Sequence, residues 1–122
     1  MSEYIAQVKG YLPRSPNAQP RKHWGRKMDE RMFWEAAIAR SLWGEYDPLA
    51  DRPRWLEVEL RKPGAIKLRD TDNLYASIKH LQDALVNLQL LVDDTPEYCN
   101  LRGVTETNGH KHYSTIIRFG DE

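Results

Sequence analysis

Two pairs of aspartates are the strongest candidates for chemistry in this chain: Asp70 and Asp72, in the run Asp70-Thr71-Asp72-Asn73-Leu74, and Asp93 with Asp94. They bracket a helical pattern that also carries Lys79 and Asp83. With residues 68–72 extended, positions i and i+2 project to one side, so two carboxylates converge beside the start of that helix. Converging acids repel unless a cation sits between them. Hard divalent ions take carboxylate oxygens and leave their other positions to water and substrate phosphates. Asp70, Asp72 and one or both of Asp93 and Asp94 therefore read as ligands for Mg²⁺, with Mn²⁺ as an alternative. Asp72 also stands where an N-cap belongs, just before the first apolar-periodic residue, and that role needs no metal.

The element that must hold these acids is an amphipathic helix over Asn73–Val86. Leu74, Ile78, Leu81, Leu85 and Leu88 recur at helical spacing and form its core stripe. Asp72, Ala76, Lys79 and Asp83 fall within a narrow sector on the opposite side. Lys79 is placed either to meet a phosphate oxygen held over the metals or to pair with Asp83 one turn later, and the two roles are compatible. The return of Asp93 and Asp94 is sterically limited. A helix ending at Val86 climbs about 20 Å, and the steps from Asn87 to Asp94 span at most roughly 24 Å. The acids can reach Asp72 only along a nearly straight path, and a helix running to Gln89 would leave the site to be completed by another subunit.

The formal net charge is zero, but it is unevenly spread. Residues 1–27 carry six basic side chains against Glu3 alone, which leaves the remainder with an excess of five acids. Arg14, Arg21, Lys22, His23, Arg26 and Lys27, interleaved with Tyr11 and Trp24, form a candidate DNA-binding segment. A solvated charged face is the competing reading. Pro13, Pro16 and Pro20 hold this segment extended.

The other elements are set by local periodicity. Tyr4–Tyr11 alternates as a strand, and Met28–Tyr46 reads as a helix whose apolar face is Met32, Phe33, Ala36, Ala39, Trp43 and Tyr46. Trp55–Arg61 is a half-buried strand with Glu57 and Glu59 on its polar face, weak further candidates for the metal. Tyr98–Thr107 and His110–Phe119 flank Asn108-Gly109, a hairpin signal, with His110 and His112 as polar edge-strand residues rather than ligands. This order predicts an α+β two-layer domain spanning residues 1–122, a mixed β-sheet with two main helices packed on it. At 122 residues, 40% hydrophobic and 30% charged, the chain has the composition of a globular domain with a modest core. It contains no signal peptide and no apolar run long enough to span a bilayer, and the single Cys99 fits a reducing cytoplasm.

The pattern Asp-x-Asp-Asn-Leu, a lysine on the following helix, Asp83-Ala84-Leu85, and a Val92-Asp93-Asp94 turn leading to a strand resembles the RusA family of Holliday-junction resolvases. The opening Leu12–Asn17 and the basic-aromatic Arg21-Lys22-His23-Trp24 are also similar, so the likeness covers roughly residues 10 to 100. It implies a Mg²⁺-dependent endodeoxyribonuclease cutting branched DNA such as four-way junctions, a homodimer with two symmetric sites, and a phage or prophage origin in a bacterial cytoplasm. Asp70, Asp72, Lys79 and Asp94 would be catalytic, and Asp93 would assist in binding metal. This chain departs from the pattern at Ala76, where the family places its lysine, and Lys79 comes one turn later. A non-catalytic DNA-binding protein and a partner-binding domain are the rival readings.

Overall fold

Leu56, Val58 and Leu60 alternate with Glu57, Glu59 and Arg61, a period of two that puts every second side chain against a core. In the computed structural model they form the middle of β2 (Arg54–Arg61), and all three are buried. Residues 3–13, 25–42, 49–64 and 71–122 are described, the side chains of 25–29 and 71–73 excepted. The other elements are β1 (Glu3–Lys9), α1 (Gly25–Ser41), α2 (Thr71–Ser77), α3 (Lys79–Asn87), β3 (Cys99–Thr107) and β4 (Ser114–Asp121). The fold is α+β: a mixed four-stranded sheet in the order β1-β4-β2-β3, with the helices packed on it. β1 and β2 run antiparallel to β4, while β2 and β3 are parallel and are joined through α2 and α3. A parallel pair needs such a long crossover.

The core lies between the helices and one sheet face. Tyr4, Ala6 and Val8 of β1, Phe119 and Ile117 of β4 and the β2 triplet meet Leu74, Ile78, Leu81 and Leu85 of the helices. The predicted leucine stripe therefore faces the core, and Ala76 and Lys79 are exposed on the opposite side.

Three expectations are corrected. The hairpin at Asn108-Gly109 is not a hairpin, because β2 lies between β3 and β4. Strands on either side of a third are about 9.6 Å apart, twice the neighbour spacing, and a two-residue turn cannot bridge them. Residues 108–113 instead cross the end of β2, where Gly109 N donates to Gly64 O (2.9 Å) and His110 N to Lys62 O (3.2 Å). Gly109 takes φ +81°, a conformation that favours glycine. His110 and His112 lie in this crossing segment, not in a strand.

The buried face of α1 is also not the predicted one. Trp34, Ile38 and Leu42, at i, i+4 and i+8, enter the core, whereas Met32 is 57% exposed and Phe33 packs outward against Tyr11 at 4.7 Å between ring centroids. The third correction concerns the central helix, which starts earlier, at Thr71, and bends at Ile78 (φ −90°, ψ 5°). Ser77 Oγ donates to Leu74 O at 2.8 Å, an acceptor that a straight helix would offer to residue 78. Asp72 thus occupies the first turn of α2 rather than the cap position before it.

Candidate functional site

The path of the chain beyond α3 decides whether the acids return. The helix stops at Asn87, beyond Val86 but short of Gln89, and the chain reverses in a Schellman motif. Gln89 N donates to Val86 O and Leu90 N to Leu85 O, both at 2.9 Å. Gln89 itself sits at φ +64°, left-handed geometry that a side chain makes unfavourable. Gln89→Gly should therefore raise stability by about 1 kcal/mol, seen as a higher urea midpoint with an unchanged slope. A lower midpoint would mean that the glutamine side chain holds the reversal.

Leu90 and Leu91 are buried, and the segment after them runs back along α3. Asp94 Oδ2 comes to 3.8 Å from Lys79 Nζ at the first residue of α3, and Asp94 N donates to Asp93 Oδ1 at 2.8 Å. Lys79 thus pairs with Asp94 rather than with Asp83. Asp83, Asp93 and Asp94 instead line an open cleft of about 200 Å³, together with Val86, Asn87 and Arg31 of α1. The return predicted for the second acid pair is achieved as far as Lys79. Asp70 lies outside the described residues, as do the side chain of Asp72, residues Arg14, Arg21, Lys22 and His23, and the side chains of Arg26 and Lys27. The backbones of Arg26 and Lys27 belong to the first turn of α1.

Among the described residues no three His, Cys, Asp or Glu side chains are grouped to hold a metal. The cleft acids nevertheless match a hard cation in type, since they offer carboxylate oxygens beside a carboxamide. Neighbouring groups are committed elsewhere. Glu59 accepts from Arg61 Nε (2.9 Å) and Thr107 Oγ1 (2.9 Å) and lies 3.6 Å from Arg118. Burial pushes its carboxyl up, but the Arg61 and Thr107 hydrogen bonds and the Arg61 and Arg118 charges outweigh this and hold it below its usual value. Glu57 faces Arg102 at 3.9 Å, and His110 Nε2 meets Thr107 Oγ1 at 2.8 Å. These groups lie on the sheet face away from the helices, each committed to its own partner. Cys99 is buried beside Gln82, and burial raises its thiol pKa.

Sequence reasoning missed Arg31. It belongs to a helix assigned no chemistry, and only the packing of α1 on α3 brings it to the acids. No protein-family model matches the chain, and no curated protein matches it. Among the described residues no helix is long and apolar enough to cross a membrane.

Proposed function

We propose that this protein is a divalent-metal-dependent endonuclease of the RusA resolvase kind, a single-domain homodimer hydrolysing phosphodiester bonds in branched DNA within a bacterial cytoplasm. The observation that carries this reading is the return of Asp93 and Asp94 along α3, which gathers them with Asp83 around one cleft and brings Asp94 to Lys79. Asp70, Asp72 and Asp94 would hold Mg²⁺ or Mn²⁺, with Asp93 assisting. When bound, the metal supplies an activated water and charge neutralisation at the leaving oxygen. Lys79, whose ammonium lies 3.8 Å from Asp94 Oδ2, would face charge developing on the phosphate. The basic segment of residues 14–27 supplies phosphate contacts outside the site.

The test is a labelled four-way junction and its linear duplex, each incubated with and without Mg²⁺. Cutting of the junction only with metal supports the reading, whereas binding without cutting under both conditions leaves a DNA-binding protein. Replacing Arg21, Lys22 and Arg26 with alanine should flatten the salt dependence of junction binding. Each lost phosphate contact should remove about 0.9 from the log–log slope. An unchanged slope would make the segment a solvated surface.

Lys79→Ala should slow single-turnover cutting by about 10²-fold with little loss of binding. Ala76→Lys in that variant should restore part of the rate, because Ala76 is exposed one turn earlier. A wild-type rate for Lys79→Ala would reduce the lysine to a surface partner of Asp94.

A further inference from the structure

One end of the sheet collects cations that no described acid neutralises. The C-terminal ends of β1 and β2 meet the start of β4 there, and Lys9 and Arg61 are both register partners of Ser114. Residues 108–113 cross the same end, with Gly10 N donating to Tyr113 O at 2.7 Å and His110 N to Lys62 O at 3.2 Å. Lys9, Lys111 and His112 are thereby brought to one end of the sheet, and all three are exposed. Most other described cations are paired: Arg61 and Arg118 with Glu59, Arg102 with Glu57, and Arg54 with Asp121. Among the described residues neither Lys9 nor Lys111 forms an ion pair. The acids Glu3, Asp121 and Glu122 stand at the opposite end of the sheet.

Unpaired cations gathered on one surface attract a polyanion. Two features favour nucleic acid over an acidic protein. The first is Tyr113, which is 46% exposed and has no ring partner among the described residues. Its open face suits stacking on a base, and stacking accepts any base because each has a π-face. The second is continuity with the basic segment. The chain on either side of residues 14–24 meets at this end, where Tyr11 packs on Phe33 of α1 with ring centroids 4.7 Å apart. The surface beside the lysines is also low, since a Cβ at Gly10 or Gly109 would meet no atom within 4 Å. Such bare backbone permits close approach. We infer that this end of the sheet is a second DNA-contact surface, on which Lys9 and Lys111 hold the phosphates of one strand and Tyr113 stacks on an unpaired base. The assignment rests on the DNA-binding part of the reading above, requires no metal, and uses residues outside the stretch that carries the family likeness.

The experiment compares full-length wild type with the double variant Lys9→Ala, Lys111→Ala and with Arg40→Ala. Arg40 is the control, an exposed cation in the last turn of α1 with no ion pair among the described residues. Affinity for a labelled four-way junction is measured over a salt series in EDTA, which keeps the DNA uncut. The double variant should bind about tenfold more weakly and lose about 1.8 from the log–log salt slope, 0.9 for each contact. Arg40→Ala should match wild type. Tyr113→Ala should weaken binding of single-stranded oligothymidine about tenfold and leave linear duplex binding unchanged. A wild-type slope for the double variant overturns the assignment and leaves the lysines to an acidic protein partner. An equal loss in Arg40→Ala also overturns it, because overall charge would then be the cause. Unchanged oligothymidine binding by Tyr113→Ala removes the stacking contact. Should the double variant fail to fold, acetylation of the wild-type lysines decides: both Lys9 and Lys111 must be protected when junction is added, and unchanged labelling overturns the assignment. A wild-type chain that binds no junction overturns the DNA-binding reading and this assignment together. If replacing Arg21, Lys22 and Arg26 flattens the slope while replacing Lys9 and Lys111 does not, this assignment alone falls.

Discussion

Asp94→Asn should leave a four-way junction bound and uncut. The substitution removes a carboxylate from the proposed metal-binding set, and losing a metal ligand or its support lowers activity by about 10²-fold or more. It also removes one negative charge from the surface proposed to meet phosphates, so affinity should hold or rise. The fold should survive, because the Lys79–Asp94 pair joins side chains that are 69% and 29% exposed, and such pairs contribute about 1 kcal/mol at most. The measurement is single-turnover cutting in Mg²⁺ at matched junction occupancy. Cutting at the wild-type rate would remove Asp94 from the metal site, and Asp93 would then have to take its role. Loss of binding together with cutting would point instead to damage in the return segment.

The second large effect is expected at Arg54. This side chain is 3% exposed, yet its donors are well used. Nε reaches Asp121 Oδ1 at 2.9 Å, Nη1 reaches Leu90 O at 3.0 Å and Nη2 reaches Leu49 O at 3.3 Å. The guanidinium also lies over the rings of Tyr4 (5.1 Å) and Phe119 (5.6 Å). One residue thereby ties the start of β2 to the end of β4, to β1 and to the segment that carries the acids back. Arg54→Ala leaves a carboxylate and two carbonyls without that donor, a loss of about 3–5 kcal/mol from a total stability of roughly 5–15. The check is the urea midpoint, with a double-mutant cycle. Pairing Arg54→Met with Asp121→Leu should recover much of the loss, since an apolar pair leaves no charge stranded. A change below about 1 kcal/mol for Arg54→Ala would show that solvent reaches these groups. Because Leu90 O is one of the partners, the folded fraction of Arg54→Ala should also cut more slowly.

Features set within a single element were legible in the sequence, and features decided by distant partners were not. The alternation in β2 and the leucine stripe of α2 and α3 are set by side-chain geometry within each element, and both were read correctly. In α1, two apolar faces competed. The face with more apolar residues lost to Trp34, Ile38 and Leu42, because only the docking of the helix breaks that tie. The Asn108-Gly109 turn gave a correct local signal, but its strands were parted by β2, which precedes them by many residues. In β3 the alternation is interrupted. Leu56 pairs with Leu101 but Glu57 with Gly103, so Arg102 is an extra residue that resets which side chains face the core. Asp93 and Asp94 stood out in the sequence by type and spacing, and the structure brings them to the cleft beside Asp83. Arg31 did not stand out, because nothing in α1 foretells its neighbours on α3.

That extra residue also bears on self-association. β1 and β3 are the outer strands of the sheet, and an outer strand is a template on which another chain can polymerise. On β3 the bulge kinks the template, and Arg102 is spent on Trp55, its guanidinium 4.5 Å from the ring centre. On β1 the outward amide of Gln7 donates to Ser41 Oγ at 2.8 Å, so the last residue of α1 blocks the middle of that rim. Among the described residues both rims are therefore interrupted templates for strand-by-strand growth.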